Sequence, residues 1–340
     1  MFYIRADANS EIGSGHVMRC LAIANALRNK HIESVFITAD DNSVELIKSY
    51  GYQIIILHSN WKNLDEEVQK LVELISQKKI ECLLIDSYFI SEDYLEKIRL
   101  CTKIIYLDDI NKFIYPVDIL INYNIYANIK IIKEYYTQTK TKLLLGCEYA
   151  PLREEFRNKK VELKKKVTKI LITTGGTDTY NMAGHILQFL NKKDEFDKVS
   201  FYIVVGSYNR HIAHLEEISK QYGNIILHRH VTEMSKLMTE CDIAVSAGGT
   251  TLYELCSCAI PAISFSFADN QLDAVKEFNR QDIIYYAGDT RVDMTSCLCR
   301  IEERLKQLIL DYELRKKLSE RMSSLVDGLG SGRIADEIII

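Results

Sequence analysis

Glu11-Ile12-Gly13-Ser14-Gly15-His16-Val17-Met18-Arg19 stands just behind the first apolar run of a 340-residue chain. Residues 2–6 read as a short buried strand, 7–12 as a polar loop and 15–27 as a helix, because Val17, Cys20, Leu21, Ala24 and Leu27 recur at helical spacing. Gly13 and Gly15 at this strand-to-helix corner let the backbone turn tightly and approach a ligand closely. His16 then falls at the helix start, where a neutral imidazole suits the work of a base. The same residues also read as a glycine turn followed by a capping or packing histidine. A dinucleotide fingerprint fits poorly, although Asp40 ends the next strand as a ribose-binding acid would. The third glycine position is Met18, and a six-residue loop separates the strand from Gly13.

Outward from that corner, short runs of β-branched and leucine residues alternate with helical stretches. Strands are expected at 34–38, 53–57, 82–85, 104–107 and 119–121, which indicates a parallel sheet covered on both faces. Polar residues follow the strand ends: Asp86-Ser87-Tyr88, Asp108-Asp109 and Asn122-Tyr123-Asn124. The basic stretch 157–166 has no sustained apolar face and reads as a linker. The alternation then restarts at 169–173. The expectation is therefore an α/β chain of two Rossmann-like doubly wound domains, 1–158 and 167–340, facing across a cleft. The last helix is expected to belong with the second domain or to pack back on the first.

Two further glycine turns follow strands in the second half. Ser246-Ala247-Gly248-Gly249-Thr250-Thr251 places a glycine pair between a strand and a helix, where exposed N–H groups and the helix dipole suit a phosphate or pyrophosphate. Glu254, one turn into that helix, is placed for ribose hydroxyls. Gly175-Gly176-Thr177 is a second turn of the same kind, and each alone also reads as a plain helix start. No Walker loop occurs anywhere in the chain. Thr232 is expected to cap a short helix.

Composition narrows the function classes. With 47% hydrophobic and 26% charged residues, the chain has an ordinary globular balance. A net charge of -4 gives no reason to expect a nucleic-acid partner. No apolar run reaches the roughly 18 residues of a spanning helix, and the first residues do not resemble a signal peptide. The nine cysteines are scattered without a C-x-x-C, and Cys256-x-Cys258 and Cys297-x-Cys299 lack ligands at zinc-site spacing. Reduced thiols in a cytoplasmic protein, with no metal and no cofactor, are the corresponding expectation.

Taken together, Arg5-Ala6-Asp7-Ala8-Asn9-x-x-Ile12-Gly13-x-Gly15-His16-x-x-Arg19, Asp86-Ser87-Tyr88, Leu107-Asp108-Asp109, Tyr149-x-Pro151-Leu152-Arg153-x-x-Phe156, Ala247-Gly248-Gly249-Thr250-Thr251-x-x-Glu254 and Asp327-Gly328-x-Gly330-x-x-Arg333 resemble the UDP-sugar hydrolases of pseudaminic acid biosynthesis, within the GT-B superfamily. That resemblance runs the length of the chain. It implies metal-independent, inverting removal of UDP from UDP-2,4-diacetamido-2,4,6-trideoxy-β-L-altropyranose, with a UDP-sugar as the small-molecule partner and no obligatory protein partner. It implies His16 as the base that activates water. Gly248, Gly249 and Thr250 would hold the diphosphate and Glu254 the ribose, with Asn270 and Gln271 near the diphosphate or sugar. Asp7 and Tyr88 would line the sugar pocket, and Gly13, Gly15, Gly175, Gly176 and Thr177 complete the expected substrate contacts. Two alternatives stay open: a GT-B glycosyltransferase whose acceptor is a hydroxyl, and a non-catalytic nucleotide-sugar binding protein.

Overall fold

Runs of Ile, Val, Leu and Phe too short for helices form two separate parallel sheets, each completed by the helices between its strands. A computed structural model describes residues 1–339. It divides into two units: Met1–Glu154 together with the segment from Leu329, and Glu155–Gly328. The division falls a few residues before the basic stretch that sequence alone suggests as the linker. Residues 155–166 go with the second unit, and the closing helix goes with the first.

In the first unit the order is β1 (Phe2–Ala6), α1 (Gly15–Arg28), β2 (Ser34–Thr38), α2 (Val44–Ser49), β3 (Gln53–Ile56), α3 (Val68–Lys78), β4 (Cys82–Asp86), α4 (Glu92–Arg99), β5 (Lys103–Leu107), β6 (Ile119–Asn122), α5 (Ile129–Tyr135) and β7 (Lys142–Leu145). The seven strands lie in the order β3-β2-β1-β4-β5-β6-β7. The central strands are continuously apolar because both faces of the sheet are covered: every residue of β1 and β2 is buried. On one face Tyr3, Ile37, Leu83, Ile85 and Tyr106 pack against Leu71, Ile75 and Leu95 of the flanking helices.

The second unit contains β8 (Lys169–Thr173), α6 (Met182–Leu190), β9 (Ser200–Val205), α7 (Ile212–Gln221), β10 (Ile225–Arg229), α8 (Met234–Glu240), β11 (Ile243–Ala247), α9 (Thr251–Ser257), β12 (Ala262–Ser266), α10 (Asp269–Arg280), β13 (Tyr285–Asp289), α11 (Met294–Leu310) and α12 (Tyr312–Leu325). Its sheet runs β10-β9-β8-β11-β12-β13. The chain then returns to the first unit as α13 (Gly330–Ile339), which packs on α1.

Both sheets reverse their winding at the same place, between the first strand and the fourth: β1 beside β4, β8 beside β11. In open α/β sheets the crevice beyond the carboxyl ends at such a reversal is where ligands bind. The corner after β1 and the turns after β8 and β11 all fall there. One local expectation needs correction, and one strand is added. α8 starts at Met234 with Glu233 as its cap residue, so Thr232 does not cap it. β13 is an additional edge strand, with an irregular register against β12 between Ser264 and Ser266.

Candidate functional site

The loop after β1 is held by its own side chains before it delivers the helix. Asn9 accepts the backbone N–H groups of Glu11 (2.8 Å) and Ile12 (3.1 Å), and its carbonyl accepts that of Gly13 (2.9 Å). Gly13 has φ +74°, a conformation that other residues seldom adopt. An added Cβ on Gly15 would meet no atom within 4 Å, so space is open beside the start of α1.

His16 is the second residue of α1 and is buried, as is Arg19 one turn further on the same helix face. Both reach Asp86, the last residue of β4 in the neighbouring strand. His16 Nδ1 lies 2.6 Å from Asp86 Oδ1. Arg19 donates two bonds to the same carboxylate, Nε to Oδ2 and Nη2 to Oδ1, both at 2.6 Å. Burial alone would push the Asp86 carboxyl up, but Arg19 and His16 outweigh it and hold the group well below the usual carboxylate range. An ionised carboxylate only accepts, so the shorter contact puts the proton on Nδ1, and Arg19 Nη2, 3.1 Å from the same nitrogen, donates to Asp86 instead. Nε2 is then left with its lone pair, the tautomer a base requires. Arg19 is itself held from behind: Nη1 donates to Asp109 Oδ2 (2.6 Å) after β5 and to the Tyr123 hydroxyl (2.8 Å) after β6. Tyr88, two residues past Asp86, meets the His16 ring edge-on with centroids 4.3 Å apart.

Asp7 lies on the same edge, but its carboxylate is engaged. Oδ1 accepts the Ala39 N–H at 2.8 Å and Oδ2 accepts Arg5 Nη1 at 2.5 Å. Arg5 is fully buried and makes a bidentate pair with Glu67, Nε at 2.7 Å and Nη2 at 2.8 Å. Glu67 also accepts the hydroxyls of Ser59 (2.6 Å) and Tyr94 (3.1 Å). Asp7 is thus part of a buried clamp that ties β1 to the loops after β2 and β3.

In the second unit the two glycine turns differ. After β8, Asp178 follows Gly175-Gly176-Thr177 and caps α6, accepting the N–H groups of Met182 (2.7 Å) and Ala183 (3.2 Å). Burial pushes this carboxyl up, against those backbone bonds. A Cβ on Gly206 would overlap the carbonyl oxygens of Gly175 and Gly176, so this glycine turn is seated against the end of β9. After β11, Gly249 and Thr250 are exposed, and Thr250, at the cap position of α9, makes no side-chain capping bond. Val275 and Gln271 of α10 pack directly on Gly248. Gln271 Oε1 accepts the Phe267 N–H (2.9 Å), which pins the loop after β12, while Asn270 is exposed at the start of α10. Glu254 is half-buried one turn into α9.

Asp86 and Arg19 were not singled out as site residues from sequence. The signal for Arg19 was its spacing of three from His16, which places both on one helix face. Asp86 carried the weaker signal of an acid closing a buried strand. Among the described residues, no group of three or more His, Cys, Asp or Glu side chains is arranged to hold a metal ion, and no helix is long and apolar enough to cross a membrane.

No protein-family model matches the chain. An uncharacterized protein of Methanocaldococcus jannaschii is 29% identical over 275 residues, 76% of this chain, and the match spans only 54% of that protein, about half its length. Spore coat polysaccharide biosynthesis protein SpsG of Bacillus subtilis is 27% identical over 339 residues, covering 97% of this chain and 95% of SpsG. The UDP-2,4-diacetamido-2,4,6-trideoxy-beta-L-altropyranose hydrolase of Campylobacter jejuni is 31% identical over 252 residues, covering 74% of this chain and 85% of the hydrolase. Among solved structures, MurG of Acinetobacter baumannii and the spinosyn rhamnosyltransferase SpnG with thymidine diphosphate each superpose with a TM-score of 0.69 at 12% identity. Each covers 100% of this chain, with 99% of the MurG chain and 100% of the SpnG chain matched. That likeness carries the fold, two parallel-sheet α/β domains of the GT-B type. By its curated relatives, the chain belongs to the family of the Campylobacter jejuni UDP-diacetamido-trideoxy-altropyranose hydrolase.

Proposed function

We propose that the chain is an inverting hydrolase that removes UDP from a UDP-2,4-diacetamido-2,4,6-trideoxy hexose, a step of pseudaminic-type nonulosonic acid biosynthesis. The observation that carries this reading is the His16–Asp86 pair at the β1/β4 reversal, which leaves Nε2 as a proton acceptor. In the proposed step Nε2 takes a proton from water as the water oxygen bonds to the anomeric carbon on the face opposite UDP. The bond from that carbon to the diphosphate oxygen breaks, and its electron pair leaves with UDP. General-base assistance of this kind is worth roughly 10²–10⁴ in rate. No step needs a metal.

The remaining roles follow the same reading. Thr250 offers its hydroxyl, and α9 its N-terminal end, to the leaving diphosphate, and Glu254 accepts from the ribose. Gly248 and Gly249 give the ligand close approach, while their N–H groups bond the carbonyls of Phe265 and Ala247. Asn270 and Gln271 stand beside them at the start of α10, with Gly175, Gly176 and Thr177 on the other side of the β8/β11 reversal. Gly13, Gly15, Tyr88 and the Asp7 clamp shape the sugar side. The family relationship supports a UDP-sugar as substrate.

A second reading, transfer of the sugar to a hydroxyl acceptor, is favoured by the fold shared with a rhamnosyltransferase. In that case His16 would deprotonate the acceptor instead of water. Incubating the protein with the UDP-sugar separates the readings. UDP release without acceptor, with ¹⁸O from labelled water on the sugar C1 hydroxyl, supports hydrolysis. Release that requires an acceptor supports transfer, and binding without release supports a silent binding protein. Label in the UDP phosphate would mean attack at phosphorus and would remove His16 from its role.

A further inference from the structure

An aromatic pair stands one residue along the chain from Tyr88, the ring that touches His16. Trp61, the one tryptophan of the chain, lies in the loop after β3 and is half-buried. Its ring meets Phe89 edge-on, centroids 5.3 Å apart, and Phe89 is 38% exposed. Phe89 directly follows Tyr88, whose ring touches His16. Lys62 Nζ stands 4.8 Å from the centroid of Trp61 and 2.6 Å from Glu11, in the loop that leads to Gly13. The aromatic pair is therefore tied to the candidate base through the chain, one residue from Tyr88, and to the loop before it through the Lys62–Glu11 pair.

The Trp61 loop is held unusually firmly for a surface segment. Ser59 donates its N–H to Ala39 (3.0 Å) and its hydroxyl to Glu67 (2.6 Å). Lys70 Nζ donates to the carbonyls of Leu57 (3.1 Å) and His58 (2.8 Å). Glu67 is in turn paired with fully buried Arg5. A buried ion pair of this kind adds little net stability over apolar packing, but it does fix where the loop stands. A large apolar ring, half-exposed on a loop anchored to the strand that feeds the base, is the arrangement of a preorganised binding wall.

We propose that Trp61 and Phe89 form the wall that receives the apolar substituents of the sugar, its acetamido methyl groups and its deoxy C6 methyl. The inference rests on the hydrolase reading for the identity of the sugar. A 2,4-diacetamido-2,4,6-trideoxy hexose presents three methyl groups where an ordinary hexose presents hydroxyls, and aromatic faces and edges take such groups up readily. Trp61 and Phe89 are then specificity-determining residues, and the Arg5–Glu67 pair positions them.

Because Trp61 is the only tryptophan, its emission reports on this wall alone. The full chain carrying His16→Asn, to stop turnover, would be titrated with UDP and with UDP-2,4-diacetamido-2,4,6-trideoxy-β-L-altropyranose. The expected result is a shift of emission with the UDP-sugar and none with UDP. In the otherwise native chain, Trp61→Ala and Phe89→Ala should each raise KM for that sugar about tenfold and leave product inhibition by UDP unchanged, and Trp61→Phe should keep KM close to that of the native chain. The proposal is overturned by an equal emission response to UDP alone, by no response to the UDP-sugar, or by an unchanged KM in both alanine variants. An emission response to the UDP-sugar in a native chain that releases no UDP would overturn the hydrolase reading and leave the wall standing.

Discussion

The two units reverse their sheets in the same way and furnish the reversal differently. At β1/β4 the groups are ionisable side chains bonded to one another: His16, Arg19 and Asp86 are buried, and Asp109 behind them is half-buried. At β8/β11 they are glycines and threonines, with Gly249 and Thr250 exposed and the Thr250 hydroxyl not used for capping. Holding a proton-accepting group in one tautomer needs a rigid set of partners. Receiving a diphosphate needs an exposed helix start with a hydroxyl not spent on capping; the Gly248 and Gly249 N–H groups bond the carbonyls of Phe265 and Ala247, and Thr250 keeps its hydroxyl off the helix. The same fold has thus been given one reversal suited to chemistry and one suited to binding.

The largest expected effect tests that division directly. His16→Asn should lower turnover by about 10²-fold or more and leave UDP affinity unchanged, as measured by steady-state kinetics and calorimetric titration. A loss of UDP affinity together with turnover would erase the distinction between the two reversals.

Next comes the cluster itself. Asp86→Asn should destabilise the protein by about 3 kcal/mol, since Arg19 loses its bidentate partner in a buried site. The effect should depend on pH. The folded Asp86 carboxyl is held below the value it takes in the unfolded chain, about 3.9, so its stabilisation is fully present above roughly pH 5 and is lost as pH falls. Denaturant curves of the native chain and the variant should therefore converge between about pH 5 and pH 2. Parallel curves over that range would show that Asp86 is not the depressed group.

On the binding side, Glu254→Ala should weaken UDP by about 1.5–3 kcal/mol through loss of a charged acceptor, with folding intact. The smallest effect separates the two glycine turns of the second unit. Asp178→Ala should cost about 1 kcal/mol of stability as a lost cap and leave UDP affinity within a factor of about two. Tighter UDP binding in that variant would mean that the diphosphate sits at Gly175-Gly176, where the carboxylate had opposed it. Thr250→Val should weaken UDP more than Thr177→Val does.

Much of this was legible from residue order because it is local. The strand-helix alternation, the three glycine turns and the position of His16 at a helix start all depend on neighbours within a few residues. What escaped depends on partners far along the chain. Asp86 stands 70 residues from His16, and Glu67 stands 62 residues from Arg5. Nothing in either local sequence specifies which strand will lie alongside. Asp7 could be placed at a sheet edge, but only the fold shows that Arg5 and Ala39 already occupy its oxygens. β13 was missed because Tyr285-Tyr286-Ala287-Gly288-Asp289 lacks the buried β-branched run of the inner strands; an edge strand is held by one neighbour and needs less of it. Thr232 has the right chemistry for a cap, yet α8 begins two residues later.

The return of α13 to the first unit has a bearing on how the protein is made. α1, which carries His16 and Arg19, is covered by α13, and Ser331 and Arg333 donate to the carbonyls of Leu152 and Glu148 beside it. A ribosome releases residues 1–154 and then the whole of the second unit before it releases the helix that covers α1. The helix bearing the candidate base is therefore covered only after the second unit has been made, and the first unit stays incomplete throughout that interval. Pulsed proteolysis of nascent chains stalled at residue 328 should find the first unit cleavable while the second is already resistant. Resistance of both at that length would show that α13 only decorates a fold already complete.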